Sequence, residues 1–352
     1  MNPTWQAYLQ DRGATVEDGR VVHYGNPSAE LAGVQSATVI ADLSHLGLIQ
    51  FSGEDAQSFL QGQLTCDVRQ VDFSSALYGG YCNPKGRMLA SFLLCHDNSN
   101  YLMQLPLELQ PVIQKRLSMY VLRAKVRVAD RNEALVRIGV AGNKAEALIA
   151  IVSSEIPAGE LGVTHGAGGV SIIRLAQDRF ELLLPPGLAQ EIWQRLSEDA
   201  VAVGAPVWDW LEIRAGIPRI TAATQEQFVP QMVNLEMIGG VSFQKGCYPG
   251  QEIVARSKYL GKIKRRMYLA HVEPPSDQRV VGAGDELFDV DVGEQSSGMV
   301  VNAAASPEGG FDMLAVLQTS SVESGSIRWG HTDGPPLGIM PLPYSVPHLE
   351  NQ

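Results

Sequence analysis

The residues with the clearest chemical potential lie in one short segment of sequence VSFQKGCYPGQEIVAR, at positions 241–256. Cys247 is its only thiol, and Lys245 lies two residues before it. Because proline is well tolerated in the first turn of a helix, Pro249 predicts that a helix begins directly after the cysteine. A helix N-terminus and a neighbouring ammonium group both favour the thiolate over the thiol. The segment therefore predicts a reactive or ligating cysteine.

The helix predicted after this cysteine also indicates an anion site. At the start of the helix the N–H groups of Gly250 and Gln251 would be free, and they could hold an anion. A simpler alternative stays open for Cys247, because unpaired cysteines are often small buried side chains. No histidine or second cysteine lies nearby in the sequence, and the seven histidines show no ligand spacing. We therefore predict neither a Cys/His dyad nor a metal site.

Two further segments could contact a ligand. Trp208 lies in a predicted helix that ends before Pro218, and its indole could stack on a flat heteroaromatic ring or simply fill the core. Two apolar arms flank the sequence NPKG at 83–86, which predicts a hairpin. Lys85 and Arg87 would lie at its tip, where they could meet an acidic ligand or only solvent.

The elements that must position these residues are short strands and helices. Strand-like alternation at 135–140, 170–175 and 179–184 and a helical pattern at 188–199 are typical of split βαβ units, not of a doubly wound parallel sheet. The motif itself is predicted to follow a strand that ends at 241–243. Beyond residue 262, short strand-like runs separated by Gly, Pro and Asp predict a small antiparallel barrel.

Pattern and charge divide the chain into four predicted parts. Residues 245–266 carry seven basic residues and one acidic residue, whereas 267–352 carry two basic and twelve acidic residues. This change supports a boundary near 262. The parts are an N-terminal lead-in (1–36), a first α+β portion (37–130), a second α+β portion with the cysteine motif (131–262) and a C-terminal β-barrel (263–352).

The overall composition excludes several classes of protein. The 352 residues carry a net charge of −11, so the chain is a poor general binder of nucleic acid. The basic stretch 245–266 could face RNA. However, its Lys and Arg residues do not alternate with aromatic residues, as binding of a single strand requires. No stretch approaches the roughly 20 apolar residues of a membrane helix. The N-terminus lacks the features of a secretory signal, and four cysteines without a CxxC pair favour a reduced, cytoplasmic protein.

Several sequence blocks resemble the YgfZ family of folate-binding proteins, which are relatives of the glycine-cleavage T-protein, an aminomethyltransferase. The octapeptide KGCYPGQE at 245–252 is the most specific of them. The others agree in order and spacing from about residue 37 onward: FLQGQLTCDV at 59–68, YCNPKGRM at 81–88, LRAKVRV at 122–128, IRAGIPRI at 213–220, and FVPQMVNLEMIGGVSFQKGCYPGQEIVAR at 228–256.

This resemblance implies a T-protein-like α+β fold, with two ferredoxin-like portions around a central cavity and a C-terminal antiparallel β-barrel. It implies binding of tetrahydrofolate or a one-carbon derivative. It also implies partners among iron–sulfur client or assembly proteins, including enzymes that thiolate tRNA. The family's functional cysteine falls on Cys247, with Lys245 beside it, and its folate-contacting tryptophan falls on Trp208. The other predicted folate contacts are Lys85, Arg87, Gly246, Tyr248, Gly250, Gln251, Glu252 and Arg256.

The chain departs from one branch of the family at one folate-site position and from the T-protein at three others. Leu46 replaces a second folate-site tryptophan found in one branch, and Arg214 replaces the glutamate that reads the pterin. Ala90 and Ser91 replace the aspartates needed for aminomethyl transfer, so no carboxylate manages the protons of the reaction. We expect a folate-binding factor for iron–sulfur clusters and not a conventional turnover enzyme. A folate-dependent one-carbon transferase is the alternative, and a direct tRNA-binding module is the less favoured one.

Overall fold

The computed structural model describes residues 1–97, 100–259, 263–274 and 279–346. The chain forms two compact units, each built from segments that are not contiguous in sequence. The first unit comprises Met1–Phe59, Val68–Leu77 and Leu93–Trp208, and the second comprises Leu60–Asp67, Tyr78–Phe92 and Asp209–Gln352. The predicted boundary at residue 262 lies outside the described residues. Among the helices of the described ranges, none has the length and apolarity that crossing a bilayer demands.

Helices and strands alternate along the chain. The helices are α1 (Pro3–Asp11), α2 (Pro27–Gly33), α3 (Ala56–Gln61), α4 (Gln110–Tyr120), α5 (Ala145–Val152), α6 (Pro186–Leu196), α7 (Ala205–Arg214), α8 (Gln251–Tyr259) and α9 (Thr319–Ser324). The strands are β1 (Thr15–Glu17), β2 (Arg20–His23), β3 (Val39–Asp42), β4 (Leu46–Ser52), β5 (Leu77–Cys82), β6 (Met88–Asp97), β7 (Asn100–Pro106), β8 (Arg127–Asp130), β9 (Val136–Ala141), β10 (Val163–His165), β11 (Ser171–Ala176), β12 (Arg179–Leu184), β13 (Val201–Val203), β14 (Arg265–Val272), β15 (Glu286–Asp289), β16 (Ser296–Ala305), β17 (Phe311–Gln318), β18 (Ile327–Trp329) and β19 (Leu337–Met340).

The first unit is organised by a six-stranded sheet of order β10-β11-β12-β9-β3-β13, in which only the β13–β3 pair is parallel. Alternate residues of β9 and β12, among them Ile138 and Phe180, enter a core that also contains Trp5 and Trp193. The predicted lead-in is thus part of this core. Its anchor is a hydrogen bond of 2.7 Å from Nε1 of Trp5 to the carboxylate of Asp42.

Other strands of the first unit form a second sheet of order β6-β7-β4-β8, to which β6 contributes its last residues, Leu93–Asp97. The amide of Gln104 on β7 donates to Glu181 on β12 at 3.0 Å. Polar groups therefore lie on the side of the six-stranded sheet opposite the Trp5 core.

The second unit ends in a curled antiparallel sheet of order β18-β15-β16-β17-β14-β19. Its apolar face includes Leu287, Met313 and Trp329, which pack on one another as a core. A single bridge between Arg328 and Pro336 brings the two edges of the sheet together. This half-barrel and the α+β arrangement before it confirm the predicted fold class.

The rest of the second unit contains the hairpin of β5 with the first residues of β6, the helix α8 and a long irregular segment at 215–250. The predicted strand at 241–243 is wrong, because these residues are irregular. The main-chain N–H of Ser242 donates to the carbonyl of Thr65 at 2.9 Å. A single hydrogen bond of this kind fixes the chain without forming a ladder.

Gly139 on β9 allows a close approach that a larger residue would prevent. A β-carbon at this position would lie 2.4 to 2.7 Å from ring carbons of Trp208. We expect Gly139→Ala to lower the free energy of unfolding by about 1–3 kcal/mol through overpacking, measured by urea denaturation. Gly187→Ala is the control, since a β-carbon there meets nothing within 4 Å. Equal losses in the two variants would contradict this account.

Candidate functional site

Lys245 anchors the segment 241–250, called the motif loop below. Its side chain is only 7% exposed. Its Nζ atom donates hydrogen bonds to the main-chain carbonyls of Leu64, at 2.5 Å, and Cys66, at 2.8 Å. A buried ammonium group is costly unless it has such partners. These contacts give Lys245 an anchoring role, while its predicted electrostatic effect on the thiol of Cys247 stays a prediction.

Tyr248 is a second anchor of the motif loop. It is 7% exposed, and its ring centroid lies 5.2 Å from Nζ of Lys245. Burial raises the pKa of its hydroxyl, and the nearby thiols of Cys82 and Cys66 raise it further. Tyr248 therefore stays neutral and packs inward beside these two cysteines.

Gly250 brings the motif loop against the β5–β6 hairpin. Its φ of 83° lies in the left-handed region that glycine adopts without strain. A β-carbon on Gly250 would lie 2.5 Å from the carbonyl oxygen of Asn83 and 2.6 Å from Cα of Gly86. The side chain of Asn83 accepts from the main-chain N–H groups of Lys85 and Arg87, at 2.9 and 3.1 Å. The structure thus joins two segments that the sequence analysis selected separately.

Cys247 is the exposed member of the four cysteines. Cys66, Cys82 and Cys95 are buried. Burial raises the pKa of the Cys66 and Cys82 thiols to about 12, and it raises the pKa of Cys95 as well. Those three side chains are neutral thiols at physiological pH, which leaves Cys247 as the cysteine that solvent and partners can reach.

The remaining predicted contacts divide into exposed and engaged groups. Lys85, Gly246, Glu252 and Arg256 are exposed. In contrast, Nη1 of Arg87 donates to the carbonyl of Gln227 at 2.5 Å.

One part of the predicted anion site is wrong. The main-chain N–H of Gln251 donates to the carbonyl of Tyr248 at 3.1 Å, so it is not free for an anion. The reason is the turn before α8, which folds the chain back and satisfies a donor that an open helix end would leave unpaired.

Within the described ranges, no group of three or more His, Cys, Asp or Glu side chains lies close enough together to hold a metal ion.

The sequence analysis missed three residues whose side chains bind main-chain carbonyls in the second unit, one of them in α8 directly after the motif loop. The amide of buried Gln231 donates to the carbonyl of Val254 in α8 at 2.5 Å. Nη1 of Arg266 donates to the carbonyl of Gln231 at 2.8 Å, and Asn234 donates to the carbonyl of Met267 at 2.8 Å. Asn234 has a φ of 54°, a value that asparagine tolerates better than most residues. The block at 228–256 contained both amides, but sequence alone did not show which carbonyls they bind.

Trp208 belongs to the packing of the first unit. It is 1% exposed, its ring lies on Gly139, and the guanidinium of Arg179 is 5.8 Å from the ring centroid. Its stacking on folate stays a prediction.

The four positions at which the chain departs from its relatives, 46, 90, 91 and 214, also have structural roles here. Leu46 and Ala90 are buried. The hydroxyl of Ser91 accepts from the N–H of Ile220 at 2.9 Å. Arg214 lies 3.7 Å from the carboxylate of Asp312. These positions are thus occupied by packing and by local contacts.

Comparison with known proteins first identifies the class of protein. The family model described as GCVT N-terminal domain matches residues 19–242. Among solved structures, the glycine cleavage system aminomethyltransferase T from Bartonella henselae is similar with a TM-score of 0.74 and 17% identity, over 97% of this chain and 96% of that chain. The protein therefore has the fold of the T-type aminomethyltransferases.

Sequence relatives then identify the family. A tRNA-modifying protein YgfZ of Escherichia coli O157:H7 (strain EC4115 / EHEC) is 32% identical over 323 residues, which cover 91% of this chain and 97% of that protein. The protein of the same name from Shigella sonnei (strain Ss046) matches with the same identity and coverage. The chain belongs to the YgfZ family.

The anchoring role of Lys245 predicts a loss of stability on substitution. Lys245→Met removes the donor and leaves two buried carbonyls, so we expect the free energy of unfolding to fall by about 1.5–3 kcal/mol. Urea denaturation measures this change. Cys247→Ala is the matched control, two residues away and exposed, and we expect it to change stability by less than about 0.5 kcal/mol. A stable Lys245→Met variant would refute the anchor.

The burial of three cysteines predicts selective thiol chemistry. Because thiolates are the reactive form and because access is also required, one thiol should react with a chromogenic disulfide reagent in the native protein. All four should react in denaturant. Cys247→Ala should abolish the native reaction, whereas Cys82→Ala should leave it in place. Rapid native modification of Cys66 or Cys95, detected by mass spectrometry, would contradict the assignment.

Proposed function

We propose that this protein binds tetrahydrofolate or a one-carbon derivative and uses Cys247 to support the assembly or repair of iron–sulfur clusters in client enzymes. It would do so in the cytoplasm, where a reducing environment keeps the thiol available. The name tRNA-modifying protein belongs to its relatives. For this chain we propose an indirect effect on tRNA modification, through clients that carry a cluster.

The observation that carries this proposal is the division of roles within the motif loop. Lys245 and Tyr248 point into the protein and fix the loop, while Cys247 between them is exposed. A fixed and accessible thiol can reach an iron atom or a partner's thiol, which a buried one cannot. Thiolate is the ligand that iron–sulfur clusters prefer, so the residue type fits the task.

Folate binding is supported by the resemblance of the sequence blocks and by the charges around the motif. Lys85 and Arg256 are exposed cations on the hairpin and on α8, the two elements that flank the motif loop. The main chain of Lys85 is held by Asn83, which limits where its ammonium group can go. We propose that these two cations attract the glutamate tail of the folate, a tail that carries at least two carboxylates.

A one-carbon transferase is the alternative that the fold keeps open. Transfer requires a group that takes or gives protons at the amine and the folate nitrogen. Ala90 has none, and the hydroxyl of Ser91 already accepts a main-chain hydrogen bond. This contrast favours a binding role over turnover.

Calorimetric titration with tetrahydrofolate, combined with complementation of a deletion strain, tests the proposal. We expect Cys247→Ala to bind tetrahydrofolate with unchanged affinity but to leave the cluster-dependent clients inactive, because only the thiol is lost. The double variant Lys85→Ala/Arg256→Ala should bind tetrahydrofolate about 10-fold more weakly, since two charge contacts are removed. Lys144→Ala, which removes an exposed cation of the first unit, is the control.

Four outcomes would contradict separate parts of this proposal. Full complementation by Cys247→Ala would show that the thiol is not needed for the clients. Failure of the wild-type protein to bind any folate would show that folate is not its cofactor. Repeated turnover of methylene-tetrahydrofolate by the purified protein would establish the transferase instead. Strong RNA binding that falls steeply with added salt would favour the tRNA-binding module.

A further inference from the structure

Phe73 is a large aromatic side chain that a rigid turn of the first unit holds in solvent. It is 55% exposed. The carboxylate of the preceding Asp72 accepts hydrogen bonds from the N–H of Ser74 at 2.8 Å and from the hydroxyls of Ser74 and Ser75 at 2.9 Å. These bonds lower the pKa of Asp72. The turn is therefore a fixed structure and not a loose loop.

The main chain of this turn is also tied to its neighbours. The carbonyl of Phe73 lies 2.9 Å from Nε2 of His165, and since a carbonyl can only accept, this nitrogen carries the proton. The N–H of Val163 donates to the carbonyl of Ser74 at 2.8 Å, and the N–H of Ala76 donates to that of Leu161 at the same distance. Leaving a phenyl ring in water forgoes the free energy that its burial would release. The turn therefore holds the ring at one place on the surface of the first unit.

The exposed ring lines an open surface pocket of about 610 Å³, called the ring pocket below. The other lining residues are His96, Tyr101, Gly53, Glu54, Ala56 and Gln57. The ring centroids of Phe73 and His96 are 5.2 Å apart, and those of His96 and Tyr101 are 4.6 Å apart in an edge-to-face arrangement. The volume is in the range of pockets that bind small molecules.

Tyr101 provides a hydrogen-bond donor in the ring pocket. The hydroxyl of Tyr101 accepts from the amide of Gln57 at 2.9 Å. Its own hydrogen has no acceptor among the residues in the described ranges. An aromatic wall with an unused donor suits a flat ring that carries acceptor atoms on its edge.

The carboxylates near the ring pocket restrict the charge that its ligand can carry. Glu54 lines the ring pocket, and its carboxylate pairs with Lys125 at 2.6 Å. The carboxylate of Asp72 precedes the exposed ring directly. The ion pair neutralises Glu54, so the carboxylate of Asp72, whose pKa is lowered by its hydrogen bonds, is the group that would repel a phosphate attached to the bound ring.

We propose that the ring pocket binds a planar nitrogen heterocycle of nucleobase size without a negative charge, stacked on Phe73 and hydrogen-bonded by Tyr101. Two sources can present such a ring: a free nucleoside, or a single base in an RNA strand whose phosphates lie outside the pocket. The pocket shares no residue with the predicted folate contacts, so this inference is independent of the proposed function.

Titration of the full-length protein, followed by ligand-detected NMR and calorimetry, tests this site. The probes are adenosine, guanosine, cytidine and uridine, their 5′-monophosphates, and a mixture of single-stranded RNA trinucleotides. We expect saturable binding of at least one nucleoside and weaker binding of its monophosphate. Phe73→Ala should weaken binding by about 10-fold, the loss of one base–aromatic stack. Tyr101→Phe should weaken it less, and Asp72→Asn, which keeps a side-chain oxygen as acceptor in the turn, should reduce the penalty against the monophosphate.

Val201→Ala is the matched control, because it truncates another exposed apolar side chain of the same unit. We expect it to leave binding unchanged, and circular dichroism melting should show that Phe73→Ala remains folded. Tighter binding of a trinucleotide than of its nucleosides would assign the site to RNA, and the reverse would assign it to a free small molecule. Absence of saturable binding by every probe, or unchanged affinity in Phe73→Ala, would overturn the proposal.

Discussion

A buried ammonium group is the constraint on which the candidate site depends. Lys245 has left solvent, and it can do so only because the carbonyls of Leu64 and Cys66 replace water around its Nζ atom. This requirement fixes the position of the middle of the motif loop. A neutral side chain of similar length would fill the space but would leave both carbonyls without a donor.

The anchoring of the loop explains how neighbouring residues acquire opposite environments. Tyr248 packs inward against Cys66 and Cys82, whose pKa values are raised by burial, whereas Cys247 is left in solvent. Exposure to solvent thus distinguishes Cys247 from the three buried cysteines. Gln231 holds α8 in a similar way, since its amide donates to the carbonyl of Val254 while its own carbonyl accepts from Arg266.

The sequence predicted the elements whose signals are local. The hairpin turn at 83–86, the strands β11 and β12 and the C-terminal antiparallel sheet are present, because turn residues and alternation act over a few residues. The strand at 241–243 was wrong, since alternation alone cannot supply a partner strand. The carbonyl partner of Lys245 lies 181 residues away in the sequence, and no local pattern could have indicated it. The ring pocket was also missed, because Phe73, His96 and Tyr101 come from separate segments that only the fold brings together.

The contact between Gly250 and Gly86 restricts which residues can replace them. Both residues have positive φ, and a β-carbon on Gly250 would lie 2.6 Å from Cα of Gly86. A β-carbon on Gly86 would lie 3.1 Å from the side chain of Ile253 and 3.2 Å from the carbonyl oxygen of Gly250. A side chain at position 250 would therefore push the cysteine motif away from the hairpin, although about half the chain separates the two segments in sequence.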